Sequence, residues 1–201
     1  MTAVVARSYQ HLKWLLALGL AVWFHSSAGA QTTASAAVAR IDPVVVRGQL
    51  NMDIDLDLVL NETMRQALSR GVPLFFSIEL QIEQPRWWWF NKTIVDTTLQ
   101  RRLSLDTLTR SWRISTGDFS VSAPSYEDAL KVLTKVRNWP IVLSDRFEPN
   151  VSYSGRVRIR LDTEQLARPL QMDPINRNFW SLSSAWKTFT FSILRQGEAG
   201  R

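Results

Sequence analysis

The residues able to do chemistry in this sequence are carboxylates, arginines and a run of aromatic rings; imidazole and thiol are nearly missing. Cysteine is absent, and the two histidines are His11 and His25. Three acids alternate in Asp53-Ile54-Asp55-Leu56-Asp57, and three arginines alternate in Arg156-Val157-Arg158-Ile159-Arg160. Glu79 and Glu83 are the two acids to weigh as a general acid/base pair, a reaction that needs a defined separation across a cleft. The densest aromatic stretch is Arg86-Trp87-Trp88-Trp89-Phe90-Asn91-Lys92, with a cation at each end.

The first thirty residues read as an address. Arg7 and Lys13 precede an apolar run from Trp14 to Phe24, and Ala28-Gly29-Ala30 supplies small residues for cleavage before Gln31. That run is about half of the roughly 20 residues a spanning helix requires, so a removed secretory signal is favoured over an anchor. Without cysteine there is no lipid-modified N-terminus, and the expected compartment is the periplasm. Loss of residues 1–30 removes both histidines and lowers the net charge from +6 to +4.

A trimmed chain without histidine or cysteine has neither the usual base near neutral pH nor the usual thiolate nucleophile. Ser-His-Asp and Cys-His mechanisms are thereby excluded, and a structural zinc or haem site is disfavoured. Carboxylate chemistry, Ser/Lys chemistry and oxygen-ligated calcium or magnesium remain. The aspartate ladder lacks the glycine turn and closing glutamate of a calcium loop, and reads as the wet face of a strand. No serine is marked as a partner for Lys92, Lys131, Lys135 or Lys187. No catalytic residue, cofactor site or metal site is therefore assigned, and the chain reads as a non-enzyme.

The elements that position these residues are mostly strands. Residues 31–39 read as a flexible leader, residues 40–195 as one domain, and 196–201 as a disordered tail. Val44–Val46 ends at Arg47-Gly48. From Met52 to Leu58 every second residue is apolar, the period of a strand with one dry face. Asn61 caps a helix whose stripe is Met64, Ala67 and Leu68, and Gly71 closes it before Pro73. Phe76, Ile78, Leu80 and Ile82 then alternate with Ser77, Glu79 and Gln81.

After the aromatic run, Val95, Thr97, Leu99, Leu103 and Leu105 alternate against Asp96, Thr98, Gln100, Arg102 and Ser104. Asp106-Thr107 makes a turn, and Leu108, Trp112 and Ile114 return to Gly117-Asp118. Ser125, with Asp128 three residues on, caps a second helix carrying Ala129, Val132, Leu133 and Val136, which ends at Trp139-Pro140. Val151, Tyr153, Val157, Ile159 and Leu161 form the strongest strand, with the three arginines on its other face. Leu166–Ser184 reads as irregular, and Phe189, Phe191 and Ile193 mark a last strand. The expected fold is α+β: a predominantly antiparallel sheet or sandwich with two packed helices.

In this order the segments resemble the DUF4390 family, a bacterial group of exported proteins of unknown function, from about Ile41 to Leu194. The resemblance is carried by "PRWWWFNKTIVDTTLQRRLSLDTLTRSW", by the helix "SYEDALKVLTKVRNWP" and by the aromatic C-terminal strand. "LDTLTRSW" stands where a tyrosine-containing form is expected. The resemblance brings no catalytic residue with it. Members are often encoded near a membrane sensor kinase of the nitrogen-regulation type, an association only.

The reading is a non-catalytic periplasmic module that binds another envelope protein, for instance as a sensory accessory to such a kinase. Its expected contact surface is Arg86, Trp87, Trp88, Trp89, Trp112, Arg156, Arg158 and Arg160, since tryptophan and arginine dominate binding hot spots. The blander reading folds the aromatic rings back onto the core and pairs the arginines with acids on a neighbouring strand. The aspartate and arginine ladders are themselves candidates to face one another. The alternative function is a binder or carrier of a lipid or other apolar ligand, with contact to a membrane surface; nucleic acid is not an expected partner.

Overall fold

A computed structural model describes residues 33–86, 90–166 and 177–193. The proposed signal, the three tryptophans 87–89 and the tail 196–201 lie outside the described residues. Among the described residues nine strands and two α-helices follow the order β1 (Ser35–Val46), β2 (Gln49–Val59), α1 (Glu62–Ser69), β3 (Leu74–Gln84), β4 (Lys92–Asp106), β5 (Ser111–Thr116), β6 (Phe119–Ala123), α2 (Tyr126–Thr134), β7 (Lys135–Leu143), β8 (Ser152–Leu161) and β9 (Lys187–Ser192). Two antiparallel sheets result, a three-stranded one in the order β1-β2-β7 and a six-stranded one in the order β6-β5-β4-β3-β8-β9. This is the α+β arrangement that the alternation implies.

Local chemistry accounts for most turns. Arg47 and Gly48 join β1 to β2 with φ of 50° and 77°, the two left-handed residues of a type I′ hairpin. The Asn61 side chain accepts from the Met64 amide at 2.9 Å, and Gly71 at φ 82° closes α1. Asp106 turns β4 into β5 by accepting from the amides of Leu108 and Thr109 at 3.0 and 3.1 Å. Ser125 caps α2: its hydroxyl accepts from the Asp128 amide at 3.1 Å and donates to the Asp128 carboxylate at 2.7 Å.

The apolar faces of both sheets contribute to one core. Met52, Ile54, Leu56 and Leu58 of β2 join Phe76, Ile78, Leu80 and Ile82 of β3 and Tyr153, Val157 and Ile159 of β8, all buried. Both helices add to it, α1 through Met64 and Leu68, α2 through Ala129 and Leu133.

Three local expectations need correction. Ser35–Ala39 is not leader but the start of β1, where Ala36 and Val38 turn inward and pair with Leu58 and Leu56. Small residues hid an alternation that is nonetheless paired. The second helix stops at Thr134, and Lys135–Leu143 continues as β7 against β2. Pro140 and the left-handed Asn138 (φ 51°) fit there because β7 is an edge strand with two register shifts. Leu108 is no strand residue but the tip of the β4–β5 turn, 95% exposed. The five residues of β6 add a strand that was not expected.

Candidate functional site

The arginine ladder lies on β8, where antiparallel register sets Arg160 opposite Ser77, Arg158 opposite Glu79 and Arg156 opposite Gln81. Glu79 takes both neighbours: Arg158 Nε donates at 2.7 Å and Arg160 Nε at 2.6 Å. Arg156 Nε donates to Gln81 Oε1 at 2.7 Å, and Gln81 passes the connection to Asp96 at 3.2 Å. The Trp186 ring supports Arg158 and Arg156, with centroid distances of 4.5 and 5.0 Å, within the range of cation–π attraction. Partial burial pushes the Glu79 pKa up, but the Arg160 and Arg158 hydrogen bonds outweigh it and hold the carboxyl below its ordinary value. Arg160 is pushed up, first by its bond to Glu79. These three predicted contact residues are therefore tied into a cross-strand network, the alternative that neighbouring-strand pairing offered.

The aspartate ladder is separate from it. Asp55 is paired with Arg137 of β7 and, at 3.2 Å, with Arg40 of β1, and Asp53 accepts from the Asn138 amide at 2.8 Å. The Arg137 hydrogen bond lowers the Asp55 pKa against the effect of desolvation. The aspartates thus lie on the three-stranded sheet and the arginines of β8 on the six-stranded one, so the two ladders are not each other's partners. Glu79 and Glu83 sit four residues apart along β3, about 13 Å at strand rise. Glu83 is engaged with Asn91 at 3.0 Å. They do not converge on one point. Ser125 is a cap, as its bonds to Asp128 show.

Trp112, another residue of the expected contact surface, is only partly exposed. It meets Tyr126 edge-on at 5.3 Å, joining β5 to α2. Arg86 is exposed, and Phe90 at the same turn is 84% exposed. The triple tryptophan lies outside the described residues.

A different group of arginines comes together where β5 leaves β4. β3 pairs with β4 over most of its length, from Lys92 to Leu103, whereas β5 pairs only with Arg102–Asp106. Among the described residues, the side of β4 away from β3 is consequently unpaired from Lys92 to Gln100. Beyond Thr116 the chain turns through Gly117 and Asp118 into β6. Gly117 at φ 55° is the left-handed first residue that a two-residue type II′ turn needs. Phe75, Arg102, Ser115 and Ser120 form one cross-strand row beside that turn. A cavity of about 330 Å3 opens there, with Arg101, Arg102, Arg113, Asp118 and Phe119 in its wall.

The three cations of this wall differ. Arg101 occupies an inward register position between Leu99 and Leu103. Its Nη1 donates to the carbonyls of Val132 and Leu133 at 2.8 Å and of Lys135 at 3.2 Å. These are carbonyls at the C-terminal end of α2, where a cation is favoured. Burial first, and the Arg137 charge second, lower the Arg101 pKa; its Nε is buried without a hydrogen-bond partner. Arg102 is exposed, and its one polar contact is Ser115 Oγ at 3.5 Å, long for a hydrogen bond. Arg113 has Asp106 at 3.7 Å. Sequence reasoning missed this group; the available signal was an arginine at position 101, where alternation calls for an apolar residue.

A family model described as Domain of unknown function (DUF4390) matches residues 33–190. No curated protein and no solved structure matches the chain.

Proposed function

The chain belongs to the DUF4390 family, and from that premise we propose that it is a non-catalytic, exported envelope module that docks a partner protein as an added strand along β4. The observation that carries this reading is the side of β4 from Lys92 to Gln100 that no strand pairs among the described residues. A strand with free backbone donors and acceptors is a template for pairing, and natural edges are usually blunted by proline, bulges or brevity. Two other edges follow that rule. β1 carries Pro43 and a bulge near Ala39, and β7 carries Pro140 and two register shifts. β4 has one irregularity near Ile94, after which Val95–Gln100 runs regularly with a single charge, Asp96, and no glycine or proline.

Main-chain hydrogen bonds supply affinity in such additions, and alternate side chains supply selectivity. Exposed Phe90 and Asn91 precede the Lys92 end of that edge. Periplasmic placement rests on the N-terminal pattern of Arg7, Lys13, Trp14–Phe24 and Ala28–Ala30. The carrier alternative gains nothing from the cavity beside β5, whose lining includes the charged residues Arg101, Arg102, Arg113 and Asp118. The test is a photo-crosslinking residue placed at exposed Thr98, with one at exposed Arg70 as control, in cells making the full chain. Adducts at Thr98 mapping to one contiguous segment of one protein, and not formed at Arg70, are expected. Equal, scattered adducts at both positions overturn the proposal.

A further inference from the structure

The free side of β4 stops at a particular place. From Arg102 onward β5 occupies the pairing positions, so a strand added alongside Lys92–Gln100 lies in line with β5 and ends against the β5–β6 turn. The cavity walled by Arg101, Arg102 and Arg113 opens at that stop. On the outward face of the sheet the lining carries the guanidiniums of Arg102 and Arg113 and the carboxylate of Asp118, with Asp106 engaged 3.7 Å from Arg113. Arg101 lines it from the strand, while its guanidinium is turned to α2 on the other face. Arg102 is exposed and almost unpartnered, and Arg101 Nε is buried without a partner. Phe75 and Phe119 add apolar wall.

We infer that this cavity receives the C-terminal carboxylate of the docked polypeptide. The inference rests on β4 being the docking edge and adds the direction and the end of the partner. A strand antiparallel to β4 delivers its N-terminal ammonium to the arginines, which repel it. A strand parallel to β4 runs from the Lys92 end and delivers its C-terminus to them. Excess positive charge therefore selects the parallel direction, and the carboxylate gains charge-assisted hydrogen bonds that are shorter and stronger than neutral ones. The regular stretch Val95–Gln100 spans roughly 20 Å, room for about six residues of partner. Phe119, 83% exposed, stands where the last side chain of such a peptide arrives. Arg102 is the principal carboxylate ligand, and Arg101 supplies fixed charge behind it.

The test uses the trimmed chain and a pooled library of random octapeptides in two forms, free C-terminal acid and C-terminal amide, with hydrogen exchange of residues 92–100 as the record of edge docking. Acid-form peptides are expected to bind at least tenfold more tightly than their amides, the scale of a lost charge-assisted bond. That preference disappears in Arg102→Ala, while edge protection by the peptide persists at higher concentration. Peptides that protect residues 92–100 equally as acid and amide overturn the carboxylate assignment and leave edge docking standing. Peptides that bind without protecting those residues, or a library with no binder in either form, overturn both. Arg158→Ala serves as the charge control: a loss of acid preference there equal to that in Arg102→Ala makes the effect one of general charge, and the assignment fails.

Discussion

Arg156, Arg158 and Arg160 on β8 and Arg101, Arg102 and Arg113 beside the β5–β6 turn are two groups of three arginines in one six-stranded sheet, with different neighbours. On β8, β3 brings Glu79 and Gln81 into register and Trp186 lies against two of the guanidiniums, so each charge has a fixed partner. At the turn, β5 is short and turns away, Arg101 is spent on the end of α2, and Arg102 keeps only a long contact to Ser115. The β8 group is the more conspicuous in the sequence and the less available for binding. Whether an arginine on a strand can recognise something else depends on what the adjacent strand places opposite it.

This contrast breaks first at Arg101. Arg101→Met removes the donor from three carbonyls at the end of α2, and a stability loss of about 2–4 kcal/mol is expected in urea unfolding, as for buried polar groups left unsatisfied. Arg101→Lys, which keeps the charge but not the fork, is expected to recover less than half of it. A loss within experimental error for Arg101→Met makes its bonds to α2 incidental.

Glu79→Gln comes next, at about 1–2 kcal/mol, because Arg158 and Arg160 are partly exposed and water compensates part of the lost partner. Its signature is the pH dependence. The folded-state pKa of Glu79 lies below the ordinary glutamate value of about 4.5, so its contribution is fully present above that value and fades as pH falls through the lower folded one. The wild-type advantage over Glu79→Gln is therefore flat near neutrality and shrinks as pH drops below about 4.5. A gap unchanged down to pH 3 removes the ion pairs from the account.

Gly155→Ala sharpens the β8 side with an effect of about 1 kcal/mol. Gly155 pairs with Phe189 of β9, whose ring lies over the position a Cβ would occupy, so the ring must swing outward; a fully stable variant means the ring moves freely. Smallest is Arg102→Ala, expected to alter stability by less than about 0.5 kcal/mol while abolishing acid preference in peptide binding. A large destabilisation by Arg102→Ala makes it another Arg101 and closes the contrast.

The strands with strict alternation were legible. Met52–Leu58, Phe76–Ile82 and Val151–Leu161 each point one residue in two into the core, and burial enforces that period whatever the neighbouring strand is. Caps and turns were legible for a similar reason, since Asn61, Ser125 and Arg47-Gly48 act on backbone within a few residues. β7 was misread because Lys135–Leu143 contains Pro140 and follows directly on a helix, and only its pairing with β2 makes it a strand. Trp112 is half-buried, which ring count does not reveal; Tyr126 on α2, fourteen residues on, meets it edge-on.

By itself, then, the amino-acid order determined which residues face inward on the regular strands, where the capped helices begin, and which ionisable groups the chain possesses. Tertiary structure decided which charges are neutralised and which edge stays open. Those outcomes depend on contacts between distant positions, such as Glu79 with Arg158 and Arg101 with Leu133. Periodicity specifies the side on which a residue stands but carries no information about the strand that will be set beside it.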